Sequence, residues 1–482
     1  MLRHKNTSFI SELQNYFSSN EKAITTLLQH LRSLKFFDSQ FQKLDKVNTQ
    51  YAGKQIFTLL LLFQLFDVKD ISHFSQSCVY QLYNCGKDVF YEFQRTSLIN
   101  WRKLSYSVTK QFISRVEKNS YNHDKQHIRC LIADDTDLPK RGRCFELLSR
   151  IYSHVTHSFN YGFKGLFLGY HDGKSFFALD FSLHGEKGND PEKPYGLTKK
   201  QSKRRFKNRK RPKKSCAQER VNEYFEKKTD MLITMIRTAI ANGIRFDYLL
   251  TDSWFTCFNL IKFIVTRKIK CHFLGMVKSD KTKYNYKGKM MTINQIRDSL
   301  KRSTKAKKSK KLNCKYYEVP VDFKGITVKL FYCKMSKKTK WHCLLTTSLT
   351  LDFEQAFEIY ATRWTIEVFF KECKQFLRLG KCEARSFEAQ IAATTLCLLQ
   401  YNMLSMVKRF ESYETLGALF RQSKAETLEL TVKERIYLII IEIINEISQK
   451  TDFELDFLIE HICAEYQQFI NLGKSKTTAI AA

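Results

Sequence analysis

The chain has 482 residues, 43% of them hydrophobic, which is enough apolar surface for real cores and too much for a disordered polymer. Its 81 Lys and Arg against 48 Asp and Glu leave a formal charge of +33, a surplus that repels itself unless a polyanion meets it, and nucleic acid is the first expectation. No apolar run is long enough to span a bilayer, Ile436 to Ile444 being short and broken by Glu442, and the first residues lack a signal-peptide segment, so the expectation is a cytoplasmic protein with no membrane partner.

Residues 1–100 hold few Gly or Pro and carry helical apolar spacing, as in Phe57, Leu60, Leu61 and Leu65, with further helical segments in FISELQNYF and AITTLLQHLRSL. A small helical domain docking on DNA is expected there. The 14 cysteines are scattered without CxxC or zinc-ligand spacing and are read as reduced core residues, while His154 and His157 stand near a strand as a weak metal-ligand pair.

From His127 the pattern changes. Cys130 to Ala133 reads as a short buried strand that stops at Asp134 and Asp135, and Pro139 and Gly142 close it. Adjacent strand residues point to opposite faces, so only one of these two acids can serve a given site. Two more strands follow, joined at HDGK, whose Asp-Gly pair is a hairpin signal. Lys199 to Lys214 is a dense basic run, expected to stay solvated until phosphates approach. A helix spans about Ala217 to Ala241, then Tyr248 to Leu250 forms a second apolar strand leading to Asp252, followed by a helix over Phe258 to Val265 and a strand in KCHFLGMVK.

This order predicts an α/β fold, a mixed sheet with helices for both faces, in which parallel neighbours set Asp135 or Asp134 beside Asp252. Residues 281–346 read as a β-rich insertion with a second basic loop, Lys301 to Lys311. After it comes YATRWTIEVFFKECK. As a helix, its Tyr360, Arg363, Glu367 and Lys374 fall within roughly 60° of one another, an acid flanked by bases beside an apolar stripe. Helical segments fill the rest, including 401–482. Two Asp and one Glu brought together make a hard oxygen site suited to Mg²⁺ or Mn²⁺, and two such ions can drive phosphoryl transfer on DNA.

Taken together, Tyr360, Arg363, Glu367 and Lys374, with gaps of two, three and six residues, resemble the signature helix of the bacterial insertion-sequence DDE transposases of the family four type. IADDTDL resembles that family's first-Asp region, with Asp135 as the matched acid, and LLTDSW its second, with Asp252. The resemblance covers about residues 128–400. It implies a ribonuclease H-like core over 127–280 and 347–400, and a β-rich insertion between the second Asp and the Glu. It implies a catalytic and metal-binding triad of Asp135, Asp252 and Glu367 with two Mg²⁺ ions. Tyr360, Arg363 and Lys374 are then contacts to transposon-end phosphates, and Trp364 a candidate base stacker. The implied activity is cut-and-paste transposition at terminal inverted repeats by a homodimer on double-stranded DNA, in a bacterial cytoplasm. A nuclease or resolvase without strand joining, or an inactive DNA-binding relative, are the alternatives.

Overall fold

The structure, a computed structural model, describes residues 38–45, most of 51–120, and 128–410 apart from Asn189, Asn208, 267–269 and 336–339, with 418–419 and 421–422. The helical segments expected within residues 9–35 and 423–482, and the apolar run at Ile436 to Ile444, lie outside the described residues. Among the described residues no helix is long and apolar enough to cross a membrane.

The sheet is built around β1 (Cys130–Pro139), whose first five residues are buried on both faces. On one side β1 pairs antiparallel with β3 (Ser158–His171), and on the other parallel with β5 (Tyr248–Thr251). β4 (Phe176–His184) lies beyond β3 and β6 (His272–Met276) beyond β5. The order β4-β3-β1-β5-β6, with three antiparallel strands followed by two parallel crossovers, is a ribonuclease H-like mixed sheet. The β3–β4 hairpin turns where Asp-Gly required it: Gly173 takes φ +97°, and the Asp172 carboxylate accepts the N–H of Lys174 at 2.9 Å. A short β2 (Ser149–Ser153), not anticipated from the sequence, pairs with the start of β3.

The β-rich residues after β6 extend this same sheet. β7 (Lys283–Tyr286), β8 (Lys289–Thr292), β9 (Lys307–Ser309), β10 (Cys314–Phe323) and β11 (Ile326–Lys334) lead to β12 (His342–Thr346), which pairs antiparallel with β6. Twelve strands thus form one sheet. The basic stretch Lys301 to Lys311, expected as a loop, is instead the end of a helix over Ile293–Ser303 followed by β9.

Helices cover both faces. In chain order these are α1 (Gly53–Leu62), α2 (Lys87–Arg95), α3 (Trp101–Ser120), α4 (Cys216–Phe225), α5 (Lys228–Ala241), α6 (Phe258–Thr266), α7 (Ile293–Ser303), α8 (Phe353–Ala361), α9 (Thr365–Phe376) and α10 (Phe387–Phe410). Phe167 of β3 meets Phe369 and Phe370 of α9 at 5.8 and 5.3 Å between ring centres, which fixes α9 over β1 and β3. Truncating a ring buried this way costs about 3–5 kcal/mol. Opposite, Ser182 of β4 reaches Met235 of α5. α1 is buried almost throughout, and Gln400 of α10 donates to the last-turn carbonyls of Leu60 and Leu61, so the described part of residues 1–100 shares its core with the sheet.

The basic run at Lys199 to Lys214 departs furthest from expectation. Arg211 is nearly fully buried between Glu146, at 2.7 Å, and Glu388, at 2.7 Å, and the Glu146 carboxylate also accepts the Arg209 N–H. A guanidinium placed between two buried carboxylates satisfies its fork by bidentate bonds on both sides, so this half of the run is bolted down.

Candidate active site

The two Asp-bearing strand ends come together as their parallel pairing requires. Ala133 stands opposite Thr251, so Asp134 and Asp252 leave their strands at the same level. Asp252 is set by its own backbone: its carboxylate accepts the N–H groups of Trp254 at 3.0 Å and Phe255 at 3.1 Å, and its carbonyl accepts the Thr256 hydroxyl at 2.9 Å. Burial raises its pKa above the usual carboxylate range, against the pull of those backbone donors.

The signature residues do not lie on one continuous helix. α8 runs from its Asp352 cap to Ala361, a 3₁₀ turn occupies Thr362–Trp364, and α9 begins at Thr365. Thr362 and Thr365 donate their hydroxyls back to the carbonyls of Ile359 and Thr362 at 2.7 and 2.8 Å, competing for the carbonyls that an unbroken helix would use. Tyr360 therefore points inward. Its hydroxyl donates to the Thr251 carbonyl at 3.2 Å, next to Asp252, and burial pushes the phenol up to about 12. Tyr360, expected as a phosphate contact, here braces the end of β5 through its hydroxyl.

Arg363, in the 3₁₀ turn, donates to Asp134 at 2.8 Å and lies 3.5 Å from Glu367 on the first turn of α9. Two turns on, Lys374 donates to the Thr136 hydroxyl at 2.6 Å. Asp134 and Thr136 share one face of β1 by strand alternation, and α9 lies on that face. Asp135, whose matched position made it the expected partner of Glu367, is turned to the other face, where Lys228 at the start of α5 grips it. The acid that the structure brings to Arg363 and Glu367 is thus Asp134. Asp252 feels the negative charge of Asp135, from across β1, and the opposing positive charge of Arg363. Asp134 is pushed up to about 8, first by burial and then by the Asp252 charge, with Arg363 only partly offsetting them. Burial likewise lowers Lys374, which Asp137 and Glu367 oppose.

Lys228 escaped the sequence reading. It also lies over the ring of Trp254, 4.1 Å from its centre, and that ring is half exposed beside Asp252. The single helix expected over Ala217 to Ala241 is instead two, α4 and α5, so Lys228, expected mid-helix, begins α5, and its partners come from two other strands' ends. Trp364 is 64% exposed on the 3₁₀ turn, so it is free to meet a ligand. His154 and His157 sit on the exposed β2–β3 turn.

Among the described residues no three His, Cys, Asp or Glu side chains are grouped closely enough to hold a metal ion as they stand, Arg363 lying between Asp134 and Glu367. The donor chemistry nevertheless fits a hard divalent cation. Carboxylate oxygens are its preferred ligands, and an acid whose pKa is raised first by burial and then by a neighbouring carboxylate is a position short of positive charge.

Two family models match the chain: one described as a transposase DDE domain over residues 226–403, and one as a DDE superfamily endonuclease over residues 80–292. No curated protein matches it. Among solved structures it is similar to a cryo-EM structure of the piggyBac transposase synaptic complex with hairpin DNA, at 14% identity and a TM-score of 0.41, over 87% of this chain and 80% of that one. The matched domains make the chain a DDE transposase-type enzyme that acts on DNA, and they imply the use of divalent metal.

Proposed function

We propose that the chain mobilises a bacterial insertion sequence, cutting at its terminal inverted repeats and joining the freed ends to a new target. One observation carries this reading: Asp134 leaves β1 level with Asp252 and is tied through Arg363 to Glu367, so acids from two strands and a helix share one edge of the sheet. Asp134, Asp252 and Glu367 are the residues that would hold two Mg²⁺ ions, or Mn²⁺, once Arg363 is drawn off to a substrate phosphate. Such ions supply activation of a water or 3′-hydroxyl and stabilisation of the departing oxygen.

The chain's own side chains prepare the site. Arg363 bonds to Asp134 and lies beside Glu367 in the free protein and is the cation that a substrate phosphate recruits. Lys374 extends the positive rail along the same face, Trp364 offers a ring to a displaced base, and Tyr360 holds the β5 end so that Asp252 keeps its position. The core comprises 127–280 and 347–400, with 281–346 inserted, residues 1–100 engaging the DNA end, and 401–482 forming a helical C-terminal region. Two copies acting on paired ends in the cytoplasm complete the proposal.

The test uses DNA carrying the element's terminal repeats with Mg²⁺. Glu367→Gln and Asp134→Asn each abolish cutting and joining while leaving DNA binding intact; wild-type activity in either variant overturns the assignment.

A further inference from the structure

We propose that an open cleft between α2, the bolted basic run and the segment leading into α10 binds an unpaired DNA strand beside the active site, an inference that rests on the reading of the chain as a DNA-cutting enzyme. The cleft has a volume of about 590 Å³ and is walled by Tyr91, Arg95, Phe206, Arg209 and Arg385, with Glu383 as its acid. Neither Arg95 nor Arg385 has an ion-pair partner among the described residues, and Arg95 lies over the Tyr91 ring at 5.7 Å. Three guanidinium groups and two half-buried rings in a concavity make the pairing that single strands use: cations track the phosphates, and rings receive the bases. A duplex presents no free base faces to Tyr91 and Phe206, so the fit is to a single strand.

The wall is rigid before any ligand arrives. Arg211 fixes the basic run to Glu146 and Glu388, and Arg209 donates to the Arg95 carbonyl at 3.2 Å. The cleft is also coupled to the acids. The segment 377–386 leaves the helix carrying Glu367 and Lys374, and Lys140, just after β1, donates to its Gly380 and Cys382 carbonyls at 2.8 and 2.9 Å. Gly380 makes this approach possible, with φ +80° and Leu138 3.3 Å from where a Cβ would stand. A strand that leaves the acids and follows α9 to its C-terminal end, about 15 Å on, meets this cationic cleft.

The experiment measures binding of a fluorescein-labelled 20-nucleotide strand, and of its duplex, by anisotropy in EDTA, so that no cleavage intervenes. The exposed-side-chain variant Arg95→Gln/Arg385→Gln is expected to bind the single strand about tenfold more weakly, with its salt slope reduced by about 1 to 1.5, while duplex affinity changes less than threefold. Phe206→Ala is expected to lose about fivefold on the single strand with the slope unchanged. Unaltered single-strand affinity in the double variant, with its melting temperature intact, overturns the proposal, as does an equal loss on duplex. Glu367→Gln is run alongside: if it still cuts, the catalytic reading fails while the cleft stands on its binding data.

Discussion

Arg363 and Asp134, 229 residues apart in sequence, are joined by one hydrogen bond of 2.8 Å that ties the turn before α9 to the end of β1. The bond unites the acid of one strand with the helix that carries Glu367.

Removing Arg363 tests what that bond contributes. Losing the partner of a buried charge ordinarily costs 3–5 kcal/mol, but Asp134 can take a proton near neutral pH and escape most of this. Arg363→Ala is expected to lower stability by only about 1–2 kcal/mol in urea titrations at pH 7, yet to reduce strand joining about 100-fold. A loss above 4 kcal/mol would mean that Asp134 stays ionised.

The adjacent acids separate by face. Asp134→Asn is expected to eliminate DNA cutting, whereas Asp135→Asn, which removes the partner of Lys228 and a negative charge felt by Asp252, retains activity within about tenfold. Gel-resolved cleavage of a terminal-repeat substrate distinguishes them, and the reverse ranking would restore Asp135 to the site.

Arg211 gives a prediction about stability alone. Its substitution by Ala leaves Glu146 and Glu388 buried without their cation, and a destabilisation of about 3–5 kcal/mol is expected in chemical denaturation. A change below 1 kcal/mol would return the basic run to the solvated state that its composition suggested.

His184 sets an acid limit. It is buried, its Nε2 lies 2.7 Å from the Ser182 hydroxyl, and burial, aided by the nearby Lys228 charge, lowers its pKa to about 4. Because the folded value lies below the usual 6.5, the folded state binds fewer protons there than the unfolded chain. The associated stability is complete above pH 6.5 and is lost as pH falls toward 4, up to about 3 kcal/mol. Denaturation midpoints of wild type and His184→Gln across pH 7 to 4 should converge; parallel curves would exclude His184 as the cause.

Much of this architecture was legible because it is local. Apolar runs ending in Asp marked β1 and β5, Asp-Gly marked the hairpin, and their order gave the mixed sheet. Choosing between Asp134 and Asp135 needed the face on which α9 lies, which no residue near β1 encodes. The charge of Lys199 to Lys214 suggested solvent because Glu146 and Glu388, which bury Arg211, lie in distant parts of the chain. β-like residues after Lys281 were recognised as strands, but only the β12–β6 pairing makes them one sheet with the core.

That pairing has a mechanical consequence. With β12 hydrogen-bonded to β6 and β6 to β5, the strands β10 and β11 and the strand delivering Asp252 belong to one continuous ladder. Any twist imposed on β10 and β11 is therefore carried through shared backbone hydrogen bonds toward the end of β5 where Asp252 stands.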